Sequence, residues 1–165
     1  MSGARQILVI GGIALAVIGM CHGTWYAVFA EHQALDRAGG SVAAAFTHAA
    51  QRQPAQLAAS LEEYREAKYR HERQVDAHGH WIGLAMLLIV LGVAFDRVAA
   101  TERFRLILAI GLLTGAVLFP LSVLLQTISH GPVPRGLAIA SSGLMIAALA
   151  GTALGLALGP AGEKA

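Results

Sequence analysis

From Ile82 to Phe95 the chain carries no charged side chain. It enters this run through Asp76-Ala77-His78-Gly79-His80-Trp81 and leaves it at Asp96-Arg97. Such a run is too hydrophobic for a surface helix. A hydrocarbon core about 30 Å thick is crossed by about 20 helical residues, so counting back from Asp96 places the far boundary near Ala77. Trp81 then stands where an aromatic belt is expected, with His78 and His80 at the mouth of a transmembrane helix.

Three further stretches repeat the theme, giving expected spans at about 7–30, 77–95, 104–128 and 136–158. With 56% hydrophobic and 13% charged residues in 165, the chain belongs to the integral membrane class. Four spans and one extramembrane segment use up that length, so it reads as a single transmembrane domain. The 12 basic and 10 acidic residues are spread over several loops, which is no footprint for nucleic acid. Cys21 is the only cysteine; it excludes intrachain disulfides and thiolate metal motifs, and its place inside a span suggests a small buried hydrophobe.

The first span is rich in glycine, with Gly19 and Gly23 one turn apart. That pattern suits close helix packing, or clearance for a flat ligand. Arg5 and the Val28-Phe29-Ala30 run resemble parts of a signal peptide, but the apolar stretch is longer than a signal core, so a retained span is expected. Residues 31–76 form the polar connection. Gly39-Gly40 predicts a break, Ser41 a cap, and Val42 to about Gln53 a short helix stopped by Pro54. From Ala55 to Phe95 no proline occurs, and the first glycine is Gly79. That predicts one helix of about 40 residues, roughly 60 Å long, whose first half projects beyond the bilayer. Pro120 predicts a kink in the third span. The fourth, with its glycine, alanine and serine, is suited to close packing. The expected fold is thus an all-α, four-helix membrane bundle with its second helix extended on the exoplasmic side.

Four spans put both termini and the 96–105 turn on one side, close to Arg5, Arg97, Arg103 and Arg105. The density of basic residues in these short flanks makes that side cytoplasmic, giving a multi-pass protein of a bacterial-type inner membrane. All seven histidines fall on the other side. His22 and His80 are expected about one turn inside the boundary, His78 slightly shallower, and His130 just past the third span. A histidine in hydrocarbon is costly without a partner.

Two neutral imidazoles from different helices suit heme b, which needs no cysteine. His22 and His80 are the axial pair by depth, with His78 competing for His80. His71 and His130 are candidates for a second heme, for propionates or for a quinone headgroup. This reading gives a small cytochrome b-like subunit of a redox complex, serving electron transport. A copper or zinc site from His22, His78 and His80 is the metal alternative. The remaining alternative is a structural or assembly subunit that packs in the lipid bilayer against a larger membrane complex or as a homo-oligomer. Ala77-His78-Gly79-His80 resembles histidine-bearing helices of heme–copper oxidase and nitric oxide reductase subunits over those four residues alone, and no residue role is carried over from it. No glycine-flanked nucleophile or His-Glu-x-x-His motif points to hydrolysis.

Overall fold

The computed structural model describes residues 2–159, and helices are their only regular structure. Helix α1 (Gly3–Trp25) starts at Ser2, whose hydroxyl accepts the Arg5 N–H at 3.4 Å. The chain widens into one π-helical turn (Tyr26–Ala30) and continues as α2 (Glu31–Ala50). Helix α3 (Pro54–Ala94) is unbroken for 41 residues and ends in a 3-10 turn, Phe95–Arg97. Helices α4 (Glu102–Leu125) and α5 (Pro132–Ala157) complete the chain. Thr101 caps α4 by accepting the Phe104 N–H at 3.3 Å. Four helical segments, Gly3–Ala50, Pro54–Arg97, Glu102–Leu125 and Pro132–Ala157, are long and apolar enough to cross a membrane. This is a helical, membrane-spanning protein.

The break expected at Gly39-Gly40 does not occur. Both glycines lie inside α2 with open space around them, and the Ser41 hydroxyl donates back to Ala38 O at 2.9 Å instead of capping a new helix. Two glycines weaken a helix by about 1 kcal/mol each. Packing outweighs that here, because Ser41 and Ala45 are buried in a hairpin with α3. The reversal comes at Gln51–Gln53. Gln53 N–H reaches His48 O at 2.9 Å and Arg52 N–H reaches Ala49 O at 3.1 Å, which is a Schellman closure. Arg52 fills its left-handed position with φ of 56°, a place where glycine costs less.

The two long helices run antiparallel and set the core. Ala4, Leu8, Gly12, Leu15 and Gly19 of α1 are buried, as are Ala77, Trp81, Ala85, Leu88 and Gly92 of α3. A Cβ on Gly12 would lie 2.9 Å from the Ala85 carbonyl oxygen, so backbone meets backbone there. The packing role expected for the first span's glycines is the one they fill. Cys21 is exposed, not buried, because it stands off the stripe that runs through Gly12, Leu15 and Gly19. Helix α4 packs on both α1 and α3, while α5 packs chiefly on α4, so the bundle is open on the α5 side. A Cβ on Gly115 of α4 would lie 3.0 Å from Ser141 O of α5, a second close approach. Pro120 lies buried within α4, which runs on through it.

One end of the bundle gathers the start of α1, the 96–101 turn and the end of α5. Ser2 Oγ donates to Asp96 Oδ1, Arg5 Nη1 reaches Asp96 Oδ2 at 3.2 Å, and Ala99 N–H reaches Gly155 O at 2.9 Å. The Ser2 hydroxyl bond holds the Asp96 carboxyl below its ordinary 3.8; partial desolvation opposes it, and the Arg5 guanidinium adds to it.

Two outcomes are expected of purified protein unfolded in mild detergent. Gly39→Ala, Gly40→Ala and Arg52→Gly should each stabilise by about 0.5–1 kcal/mol, whereas Gly12→Leu should destabilise by at least about 1–3 kcal/mol by prising α1 from α3. A neutral Gly12→Leu would disprove the close approach. The second concerns acid. A depressed carboxyl contributes stability that is in place above its unfolded value and is lost as pH falls through the lower folded value. Acidification from about pH 5 to about pH 2 should therefore weaken the wild type more than Asp96→Asn; equal losses would remove Asp96 as the acid-sensitive tie.

Candidate functional site

Polar side chains concentrate where α1 passes through the π turn into α2, opposite residues 71–81 of α3. Antiparallel register brings them together. Gly12 faces Ala85, Gly19 faces His78 and Trp81, His22 faces Gln74, and Tyr26 faces His71. His78 Nδ1–H donates to the Gly19 carbonyl at 2.9 Å, and a Cβ on Gly23 would overlap its ring. His22 Nε2–H donates to Gln74 Oε1 at 2.9 Å. That fixes the His22 proton on Nε2 and leaves its buried Nδ1 without a partner. The His22 ring meets Trp81 edge-on at 5.1 Å and lies parallel to Tyr26 at 6.5 Å. The Tyr26 hydroxyl, from a buried side chain, shares a hydrogen bond with His71 Nδ1 at 2.8 Å.

The π turn itself is marked by Glu31 N–H reaching back five residues to Tyr26 O. Such turns insert one residue into a helix and are frequent at functional sites. The insertion shifts the inward stripe. The α1 stripe ending at Gly19 and Tyr26 would continue through residues 40 and 44, yet Ser41 and Ala45 are the buried pair in α2.

The remaining expected site residues lie elsewhere. His80 is exposed on the other side of α3, with its ring 4.8 Å from Phe119 of α4. His130 sits in the α4–α5 loop, 3.7 Å from Glu66 and 5.1 Å from the Tyr69 ring. Tyr69 donates to Gln126 at 3.3 Å, and Arg73 lies over the Tyr69 ring at 5.2 Å. This second polar contact joins α3 to the end of α4.

The cofactor expectations are overturned. Among the described residues no three His, Cys, Asp or Glu side chains come together to hold a metal ion, which removes copper, zinc and a metal-binding His22–His78–His80 set. Heme b on His22 and His80 falls for a related reason. His22, on α1, lies against Gln74 and Trp81 of α3, whereas the His80 ring leaves α3 on its other side, toward Phe119 of α4. The clearance expected at Gly19 and Gly23 is filled by Trp81, Ile82 and the His78 ring. The electron-transport and quinone roles built on that heme go with it. Sequence reasoning also passed over Gln74, the partner that makes His22 affordable near hydrocarbon.

Comparison with protein-family models, with curated proteins and with solved structures found no match.

The seam predicts a pattern of coupling. Gln74→Leu should cost about 1–2 kcal/mol by stranding His22 Nε2–H, and His80→Ala should be near neutral. Gly23→Ala and His78→Ala should each destabilise, and the double variant by less than their sum, since removing the ring makes room for the methyl. Thermal unfolding in one detergent measures all five; additive Gly23 and His78 effects would contradict the contact.

Proposed function

We propose that the protein is an accessory subunit of a larger membrane complex, anchored by its four spans and holding a partner subunit on the hairpin of α2 and α3. Support comes from an apolar groove near the hairpin's tip. Val42, Ala45, Phe46, Ala49, Leu57 and Leu61 line about 210 Å³ of it, and Phe46 is 74% exposed. Phe46 lies 16 residues beyond Ala30, roughly 24 Å along a helix, on a hairpin whose surface also carries Glu62, Glu63, Arg65 and Lys68. An exposed apolar groove of this kind is what a protein partner covers. Its geometry suits an amphipathic helix laid between α2 and α3, anchored at helical spacing.

In this reading residues 31–76 stand outside the bilayer on the exoplasmic side. The termini and the 96–105 turn, with Arg5, Arg97, Arg103 and Arg105, face the cytoplasm of a bacterial-type inner membrane. The polar seam serves as a rigid base, because His22, His78, Tyr26 and His71 are engaged with one another's helices.

A photo-crosslinking residue at position 46, activated in native membranes, should give a discrete adduct with one other membrane polypeptide. Leu57→Asp should suppress it, and the same probe at position 65 should give none. Adducts with a second copy alone, or with lipid alone, would overturn the accessory-subunit reading.

A further inference from the structure

We infer that the cleft at the root of the hairpin binds a phosphoryl anion, with the phosphodiester headgroup of an anionic membrane lipid as its occupant. The cleft lies between the start of α2 and α3, encloses about 210 Å³, and is lined by Tyr26, Gln33, Arg37, Arg70, His71 and Gln74 with two alanines. No carboxylate is among its lining residues. The hydrogen bonds already made leave donors to spare. Arg70 gives Nε to Glu66 at 2.7 Å, which leaves its two terminal nitrogens. Arg37 makes no ion pair among the described residues. Gln74 accepts from His22 through Oε1, so its amide N–H groups are unspent. With the Tyr26 hydroxyl donating to Nδ1, a neutral His71 carries its proton on Nε2. Two guanidiniums, an amide and an imidazole N–H around one small space match the several acceptor oxygens of a phosphoryl group.

The surroundings favour a lipid over free phosphate. The cleft opens one turn beyond Trp25, which is 51% exposed, at the end of the apolar stretch where headgroups gather. Its rim is apolar on the membrane side. Phe29, 65% exposed, is one turn before Gln33, whose amide donates to the Phe29 carbonyl at 3.4 Å. The π turn supplies this geometry by rotating Gln33 and Arg37 onto the side of α2 that meets Arg70 and His71. The cleft is distinct from the partner groove, so this inference stands apart from the accessory-subunit reading.

The test uses the full chain in a neutral maltoside detergent. Short-chain phosphatidylglycerol, short-chain phosphatidylcholine and inorganic phosphate are added separately, with native mass spectrometry and thermal unfolding as readouts. Saturable binding of one phosphatidylglycerol per chain is expected, at least about tenfold weaker in Arg37→Gln and in Arg70→Gln and unchanged in Arg65→Gln. Equal retention of phosphatidylcholine, or indifference to both cleft arginines, would overturn the site. Saturable inorganic phosphate binding with no phosphatidylglycerol bound would overturn the lipid occupant and put a free phosphate in its place.

Discussion

The approach of α1 to α3 at Gly12, Gly19 and Gly23 is the contact on which the rest of this fold depends. Lipid chains are as apolar as leucine, so helices in a bilayer gain little by merely burying hydrophobic side chains. They gain from dispersion between backbones that come close and from hydrogen bonds made across the gap. Gly12 lets α1 reach the Ala85 carbonyl. Gly23 leaves room for the His78 ring, and the ring then reaches the Gly19 carbonyl. One small-residue stripe thereby sets distance and register together. Register in turn delivers His22 to Gln74 and Tyr26 to His71, about one and two turns beyond Gly19.

Seen this way, the histidines near the boundary solve a solvation problem. Each imidazole must have a partner in a medium with little water. His22 and His78 find theirs across the α1–α3 seam, in an amide and a backbone carbonyl. His80, on the other side of α3, is exposed beside Phe119. Two histidines separated by one glycine therefore have different surroundings, since residues two apart on a helix diverge by about 200°.

That divergence also shows where the sequence was legible. The four apolar runs, the proline-free stretch behind α3, the turn before Pro54 and the packing use of glycine in α1 all follow from composition and periodicity. So did the two-way choice at His78 and His80, though not its outcome. The stripe Ala77, Trp81, Ala85, Leu88, Gly92 carries the missing information: it places His78 beside the α1 seam and His80 across from it. Gln74 belongs to the same antiparallel register and becomes visible once the turn is placed at Gln51–Gln53. The π turn left no such trace. Nothing in Tyr26–Ala30 announces it, because it reconciles the α1 stripe with the buried pair Ser41 and Ala45 in α2, and that demand exists only in the folded hairpin. Gly39-Gly40 misled for a related reason: local propensity pointed to a break, while burial along α3 kept the helix intact.

Helix α3 joins these features into one mechanical object. It carries Leu57 of the apolar groove, Arg70 and His71 of the polar cleft, and Trp81 of the glycine seam on a single uninterrupted rod. The distance from Leu57 to Trp81 is roughly 36 Å along its axis. The other arm of the hairpin differs, since between α1 and α2 it contains a π turn, which places one more residue there than a regular helix would. The cleft lies against that turn. An anion in the cleft, as inferred above, would stand between Arg37 of α2 and Arg70 of α3 and so tie the two arms of the hairpin together beside that turn.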